Sequence, residues 1–404
     1  MSEPSTIAPS PAIAATLARS QTLRGLVKGD LGPLPVIAGL AVICVIFQSL
    51  NSQFLSPVNV TNLLLQVAAT GTIAVGIYLV LLIGEIDLSA GSVSGLAGAT
   101  LAVLAVKHGT PAVLAIGAAL LVGGVIGAVQ GSIFARFGVP SFVVTLAGLI
   151  GWQGLQLRVL GDTGTINLPP SIITGLTDTF LQRPLGWSLG LGAIALLLAT
   201  SLYDMRARRA LGLPTKNVWL ISLRVGTLAV AIAAVITILN KDRGVPLAGV
   251  LLLVLVVTFD LITRHTKFGR RVLAVGGNIE AARRAGIRVN AIRVSVFALS
   301  GLFAAAGGIL AASRLISVNQ ASGSGDLLLN AIAAVVIGGT SLFGGRGNAW
   351  SALLGVLVIG GISNGMDLLG LASDDKFMIT GAVLLLAVTV DAVSRQGRLA
   401  AGLS

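Results

Sequence analysis

Twelve apolar segments recur along the chain, at about 33–50, 62–84, 89–106, 111–134, 140–160, 185–203, 218–240, 246–263, 292–312, 326–344, 349–371 and 377–393. No other feature constrains the fold as strongly. A helix needs roughly 20 mostly apolar residues to cross the hydrocarbon core of a bilayer. The chain is therefore predicted to be all-α, a polytopic membrane helix bundle of about 10–12 transmembrane or re-entrant helices. The segments at 89–106 and 326–344 are glycine-rich and short or broken, which is why the range is not a single number. Composition agrees: 10% of residues are charged, against about 25% in soluble domains. The 52 glycines suit helices whose backbones approach closely in lipid.

The net charge of +12 would suggest a nucleic-acid partner in a soluble chain. Its distribution excludes that reading. The loop 204–217 carries Arg206, Arg208, Arg209 and Lys216, and the loop 264–292 with its flank carries Arg264, Lys267, Arg270, Arg271, Arg283, Arg284, Arg288 and Arg293. With simple alternation these fall on one side together with Arg136, Arg346, Arg395, Arg398 and the N-terminal tail. Such an excess marks the cytoplasmic face, so both termini are expected in the cytoplasm. Residues 1–32 read as a disordered tail, 33–393 as the membrane domain and 394–404 as a second tail. The lipid bilayer is the partner that the charge pattern points to. Arg224, just inside a span, can snorkel.

The chemistry of most enzymes is missing. Cys44 is the single cysteine, and His108 and His265 are far apart, so no metal site is expected. No lysine precedes Ser or Thr, which rules out a Walker A phosphate loop in this chain. No cofactor is expected here.

One soluble stretch is informative: "KFGRRVLAVGGNIEAARRAGIRVNAIR", residues 267–293. Asn278 is a good N-cap, Glu280 suits a first turn, and Arg283 and Arg284 suit a last turn. Gly286 stands where a left-handed residue closes a helix. A two-turn helix over about Ile279–Ala285 is predicted, too short to be stable without tertiary contacts or a partner.

Three stretches carry a resemblance to a known family. They are "GEIDLSAGSVSGLAG" from Gly84, "GRRVLAVGGNIEAARRAGI" at 269–287 and "LNAIAAVVIGGTSLFGGRGNAW" at 329–350. Together they are similar to the permease subunits of bacterial ATP-binding-cassette sugar importers of the ribose/xylose/galactoside branch. The length and the additional spans at 204–263 look most like the xylose type. The resemblance implies a homodimeric permease in the bacterial inner membrane. It implies a separate ATP-binding subunit below and a periplasmic sugar-binding protein above. It also assigns ATPase coupling to the stretch holding Gly276, Gly277, Asn278, Glu280, Ala281, Ala282 and Gly286. Glu85 departs from the family, which usually has a glycine there.

Polar residues inside apolar segments are candidates for a path, because intramembrane polar groups tend to face a bundle interior or a wet cavity. Asp87, Ser89, Asp326, Asn330 and Asn364 stand out. For Asp87 and Ser89 the alternative role is capping a helix that begins near Ala90. For Asn330 and Asn364 it is interhelical hydrogen bonding. Buried carboxylates would also serve an ion-coupled secondary transporter, the competing function.

Overall fold

The computed structural model describes residues 34–210, 218–324 and 326–400. The N-terminal tail and Lys216 lie outside them, as do the side chains of Arg224, Asp326, Arg395 and Arg398. Each of the twelve apolar segments contains a helix. Among the described residues, eight helices are long and apolar enough to span a membrane, and shorter apolar helices lie at Pro35–Leu50, Val225–Leu239 and Leu327–Ile337. The polytopic helical bundle expected from the sequence is what forms.

The centre is built from α2 (Pro57–Leu82), α3 (Ala90–Ala102) and α12 (Val289–Leu315). α1 (Leu34–Leu50) precedes them. The start of α2 follows from local chemistry: Ser56 caps it by accepting from Asn59 N, and Pro57 occupies the first helical position, where a missing N–H costs nothing. From Ile73 to Leu82 α2 is buried on every side, with Tyr78 wholly inaccessible. A helix apolar all round and buried all round is a bundle core. α12 crosses α2, α3 and α4 (Ala112–Phe137). At its crossing with α4, a methyl on Gly301 would collide with the Gly123 carbonyl, so the backbones touch directly.

The outer layer comprises α4, α5 (Ser141–Leu160), α7 (Arg183–Ala210), α8 (Val218–Leu239) and α9 (Leu247–His265). These helices expose large apolar side chains such as Leu121, Ile150, Leu191, Val230 and Val254. In water such a surface would be costly, whereas lipid makes it neutral.

Three features were not expected. The loop 161–182 carries a short helix, α6 (Ile172–Asp178), and two strands, β1 (Thr165–Asn167) and β2 (Phe180–Leu181). β1 pairs antiparallel with β4 (Ser317–Asn319), and β2 with β3 (Val245–Pro246), so two small ribbons stitch the loops on that face. Second, α3 ends in a π turn, Val103–Lys107. Third, the basic loop holds two helices, α10 (Lys267–Gly277) and α11 (Ile279–Arg284). The chain ends through α13 (Asp326–Ile337), α14 (Ala349–Leu368) and α15 (Ser373–Ala400). α15 continues into the segment read as a tail.

Candidate functional site

The chain turns at the end of α2 through Gly84, at φ +75°, a conformation that disfavours side chains. Residues 85–89 then climb back into the bundle before α3 begins at Ala90. Their depth can be read from their partners. Asp87 accepts from Ser300 Oγ at 2.8 Å, and Ser300 lies about 16 Å along α12 from Val289 at 1.5 Å per residue. The break in "GEIDLSAG" is therefore inside the bundle and not at its rim.

Asp87 is 4% exposed. Its Oδ1 accepts from Ser89 N at 2.9 Å and Ser89 Oγ at 2.7 Å, and its Oδ2 from Ser300. Three donors on one carboxylate offset the cost of burying it. Capping is thus divided otherwise than the sequence suggested. Ser89 is the N-cap residue but makes no side-chain cap bond, because its hydroxyl is turned to Asp87. The amide oxygen of Gln130 on α4 lies 3.0 Å from that hydroxyl. Glu85, two residues away, does something different. It pairs with Arg293 Nη2 at 3.2 Å, and the Arg293 guanidinium sits 4.4 Å over the Phe134 ring.

The second break is the segment between β4 and α13. It descends along α3 into a groove left by missing side chains: a methyl on Gly95 would meet the Ser322 carbonyl, and one on Gly91 the Gly323 carbonyl. Gln156 of α5, 1% exposed, clamps the segment by donating to the carbonyls of Asn319 at 3.1 Å and Ser322 at 2.9 Å. α13 starts only at Asp326, so it is a half-length helix facing α3 from the opposite direction.

Between the two broken helices lies a cavity of about 500 Å³. Asn330 lines it, as do Gln66 and Thr70 of α2, Ser363 of α14 and the clamped loop. An ion pair, Lys376 Nζ to Asp367 Oδ1 at 2.6 Å, stands at its margin with Arg314. These margin residues lie at the opposite end of the bundle from the basic loop.

On the basic side, α10 is capped by Thr266, which accepts from Gly269 N at 3.1 Å. Val272 and Val275 are buried and fix its inner face. Their spacing with Phe268, at i, i+4 and i+7, is the helical signal the sequence reading passed over. α11 is capped by Asn278, whose Oδ1 accepts from Ala281 N at 2.9 Å, and is closed by Gly286 at φ +78°. Glu280 and Arg283 form an exposed ion pair at 3.0 Å, Ala281 is exposed, and Ala282 is buried.

Gly276 joins this loop to the foot of the first break and to the turn after α13. A methyl there would collide with the Leu82 carbonyl, and would lie 2.7 Å from Gly345 N. Gly345 N itself donates to Leu82 O at 2.9 Å. A methyl on Gly344 would lie 2.8 Å from both Gly84 N and the Gly276 carbonyl oxygen, so the three sequence stretches, far apart along the chain, meet at one joint made of backbone.

The predicted residues fall into separate places. Asp87 and Ser89 form the first break. Asn330 lines the cavity, and its carbonyl oxygen is buried without a partner among the described residues. Asn364 lies elsewhere, in a reciprocal amide pair with Asn59 at 2.7 and 3.0 Å. Asp326 opens α13, with its side chain outside the described residues. Gln130, Gln156 and Ser300 were missed; a neutral polar side chain inside an apolar span was the available signal.

Residues 59–388 match the family described as branched-chain amino acid transport system / permease component. The chain is 35% identical over 373 residues to the xylose transport system permease protein XylH of Escherichia coli (strain K12), covering 92% of this chain and 94% of the relative. It is 35% identical over 355 residues to the ribose import permease protein RbsC of the same organism, covering 88% and 92%. The RbsC of Bacillus subtilis (strain 168) is 33% identical over 365 residues, covering 90% and 93%. No solved structure matches the chain significantly.

Proposed function

The chain belongs to the branched-chain amino acid transport system / permease component family, and from that membership we infer that it is the membrane-spanning permease subunit of an ATP-binding-cassette importer for a monosaccharide, xylose or a related sugar. The observation that carries this is the near end-to-end match to permeases named for xylose and ribose. It is a transport subunit of the bacterial inner membrane. ATP is hydrolysed by a separate ATP-binding subunit docked on the basic face, a periplasmic sugar-binding protein delivers sugar to the opposite face, and two copies of the chain make the permease. Both termini are cytoplasmic.

The geometry supports a division of labour. α11 and its flanks offer an exposed surface of Glu280, Ala281, Arg283 and Arg284 to the ATPase. Gly276 and Gly277 lead into the joint at Leu82 and Gly345. A push on this loop therefore bears on backbone at the foot of the first break and on the turn that follows α13, the two helices that frame the cavity being α3 and α13. Rigid elements with two discrete arrangements are what such coupling needs. The ion-coupled alternative would need a carboxylate open to the cavity at depth. Asp87 is not one, because serine donors already occupy both of its oxygens.

The test is reconstitution in proteoliposomes with an ATP-binding subunit and a periplasmic sugar-binding protein from the same organism. Sugar uptake is expected to require ATP and both partners. Uptake by this chain alone, driven by an ion gradient, would overturn the reading.

A further inference from the structure

The cavity between α3 and α13 has a chemical character that the fold alone does not require. Gln66, Thr70, Asn330 and Ser363 all line it, and among the described residues none of the four has a side-chain hydrogen-bond partner. Elsewhere in α2 hydroxyls turn back on their own helix: Thr61 donates to Pro57 O at 2.9 Å and Thr72 to Ala68 O at 2.8 Å. Thr70 does not. Hydrogen-bonding capacity left unspent in a membrane bundle is costly unless water or a ligand meets it. Asn330 is the clearest case, since its side-chain amide oxygen is unpartnered and, in this rotamer, closed to solvent. Its χ2 torsion is broad and roughly two-fold, so the amide can present either its acceptor or its two donors to the cavity.

The charge pattern narrows the ligand. The charged side chains lining the cavity are Arg314 and the Asp367–Lys376 pair, and the pair neutralises itself at 2.6 Å. The four unspent groups are neutral, and each carries both donor and acceptor capacity. That combination matches hydroxyl groups, which donate and accept at once. None of the four supplies a charge to pair with a carboxylate, a phosphate or an ammonium group, and the remaining cation, Arg314, is exposed at the margin. The volume of about 500 Å³ falls within the usual range for small-molecule sites, ~300–1,000 Å³.

We propose that this cavity is a transit site that holds one neutral polyhydroxylated solute through Gln66, Thr70, Asn330 and Ser363. The proposal rests on the sugar-importer reading and adds to it a place and a set of contacts. Loose contacts suit such a site, since a tight one would trap its cargo.

The experiment uses the full chain with its one cysteine removed, Cys44→Ala, and a reporter cysteine introduced as Asn330→Cys or, separately, Ser363→Cys. The second variant exchanges one small side chain for another, so it guards against misfolding of the first. Reaction with a water-soluble maleimide is timed with xylose, ribose or gluconate present. Xylose and ribose should slow labelling at both positions, about fivefold at a concentration about four times the dissociation constant. Gluconate, an anionic polyol, should not. Absence of protection by the neutral sugars, or equal protection by gluconate, would overturn the site. ATP-driven uptake by the reconstituted complex is measured in parallel. Normal uptake without protection sinks the cavity proposal alone, and absent uptake sinks the importer reading itself.

Discussion

Adjacent glycines, Gly276 and Gly277, should respond oppositely to the same substitution. In Gly276→Ala the new methyl is directed at the Leu82 carbonyl oxygen and lies 2.7 Å from Gly345 N. Both obstacles are backbone, so neither can swing aside as a side-chain end would. Overpacking of this kind costs about 1–3 kcal/mol. Parting Leu82 from Gly345 also breaks their 2.9 Å hydrogen bond, and a buried group left unpaired adds about 1–3 kcal/mol. A combined cost of about 2–4 kcal/mol is expected, because opening the joint relieves part of the clash. That lowers the population of the closed joint roughly 30- to 1,000-fold. A methyl on Gly277 meets nothing within 4 Å. The assay is sugar transported per ATP hydrolysed in proteoliposomes. Gly276→Ala should keep ATP hydrolysis while losing most transport, with Gly277→Ala close to the parent protein. If Gly276→Ala couples normally, or both variants lose transport equally, the joint does not carry the coupling.

Other expectations follow from single interactions. Asp87→Asn should reduce uptake more than Glu85→Gly, because Asp87 holds three hydrogen bonds in the break and Glu85 holds one ion pair at its foot; an equal or reversed ranking in an uptake assay refutes this. A double-mutant cycle on Asn59→Ala and Asn364→Ala should give a coupling of about 0.6–1.7 kcal/mol in thermal unfolding, since the two amides bond reciprocally; additive effects would contradict the pairing. Gly286→Ala places a methyl at φ +78° and should cost about 1–2 kcal/mol, read as weaker capture of the ATPase at unchanged binding-protein affinity. Gln156→Leu should free the loop it clamps and raise maleimide labelling of a cysteine at Ser322, whereas unchanged labelling would mean the loop is held by its glycine groove alone.

The twelve apolar segments were legible because lipid imposes one rule on every span, and length and apolarity satisfy it locally. The cap at Asn278 and the closing glycine at 286 were legible for a similar reason, as each acts within a few residues of its own position. Ser89 shows the limit. As a residue before a helix it reads as a cap, yet its hydroxyl faces Asp87, a choice that Ser300 on a distant helix helps to fix. Asn330 and Asn364 look alike in sequence, but one lines a cavity and the other bonds Asn59, 305 residues away.

By itself, then, the sequence determined that the chain is a membrane bundle and where a short capped helix lies between spans. Tertiary structure decided how deep the two breaks sit, which polar side chains share a cavity, and that Leu82, Gly276 and Gly345 form one joint. The division has a physical cause. Burial in lipid, capping and left-handed turns depend on neighbours in the chain, whereas polar side chains and close backbone contacts depend on which helices pack together.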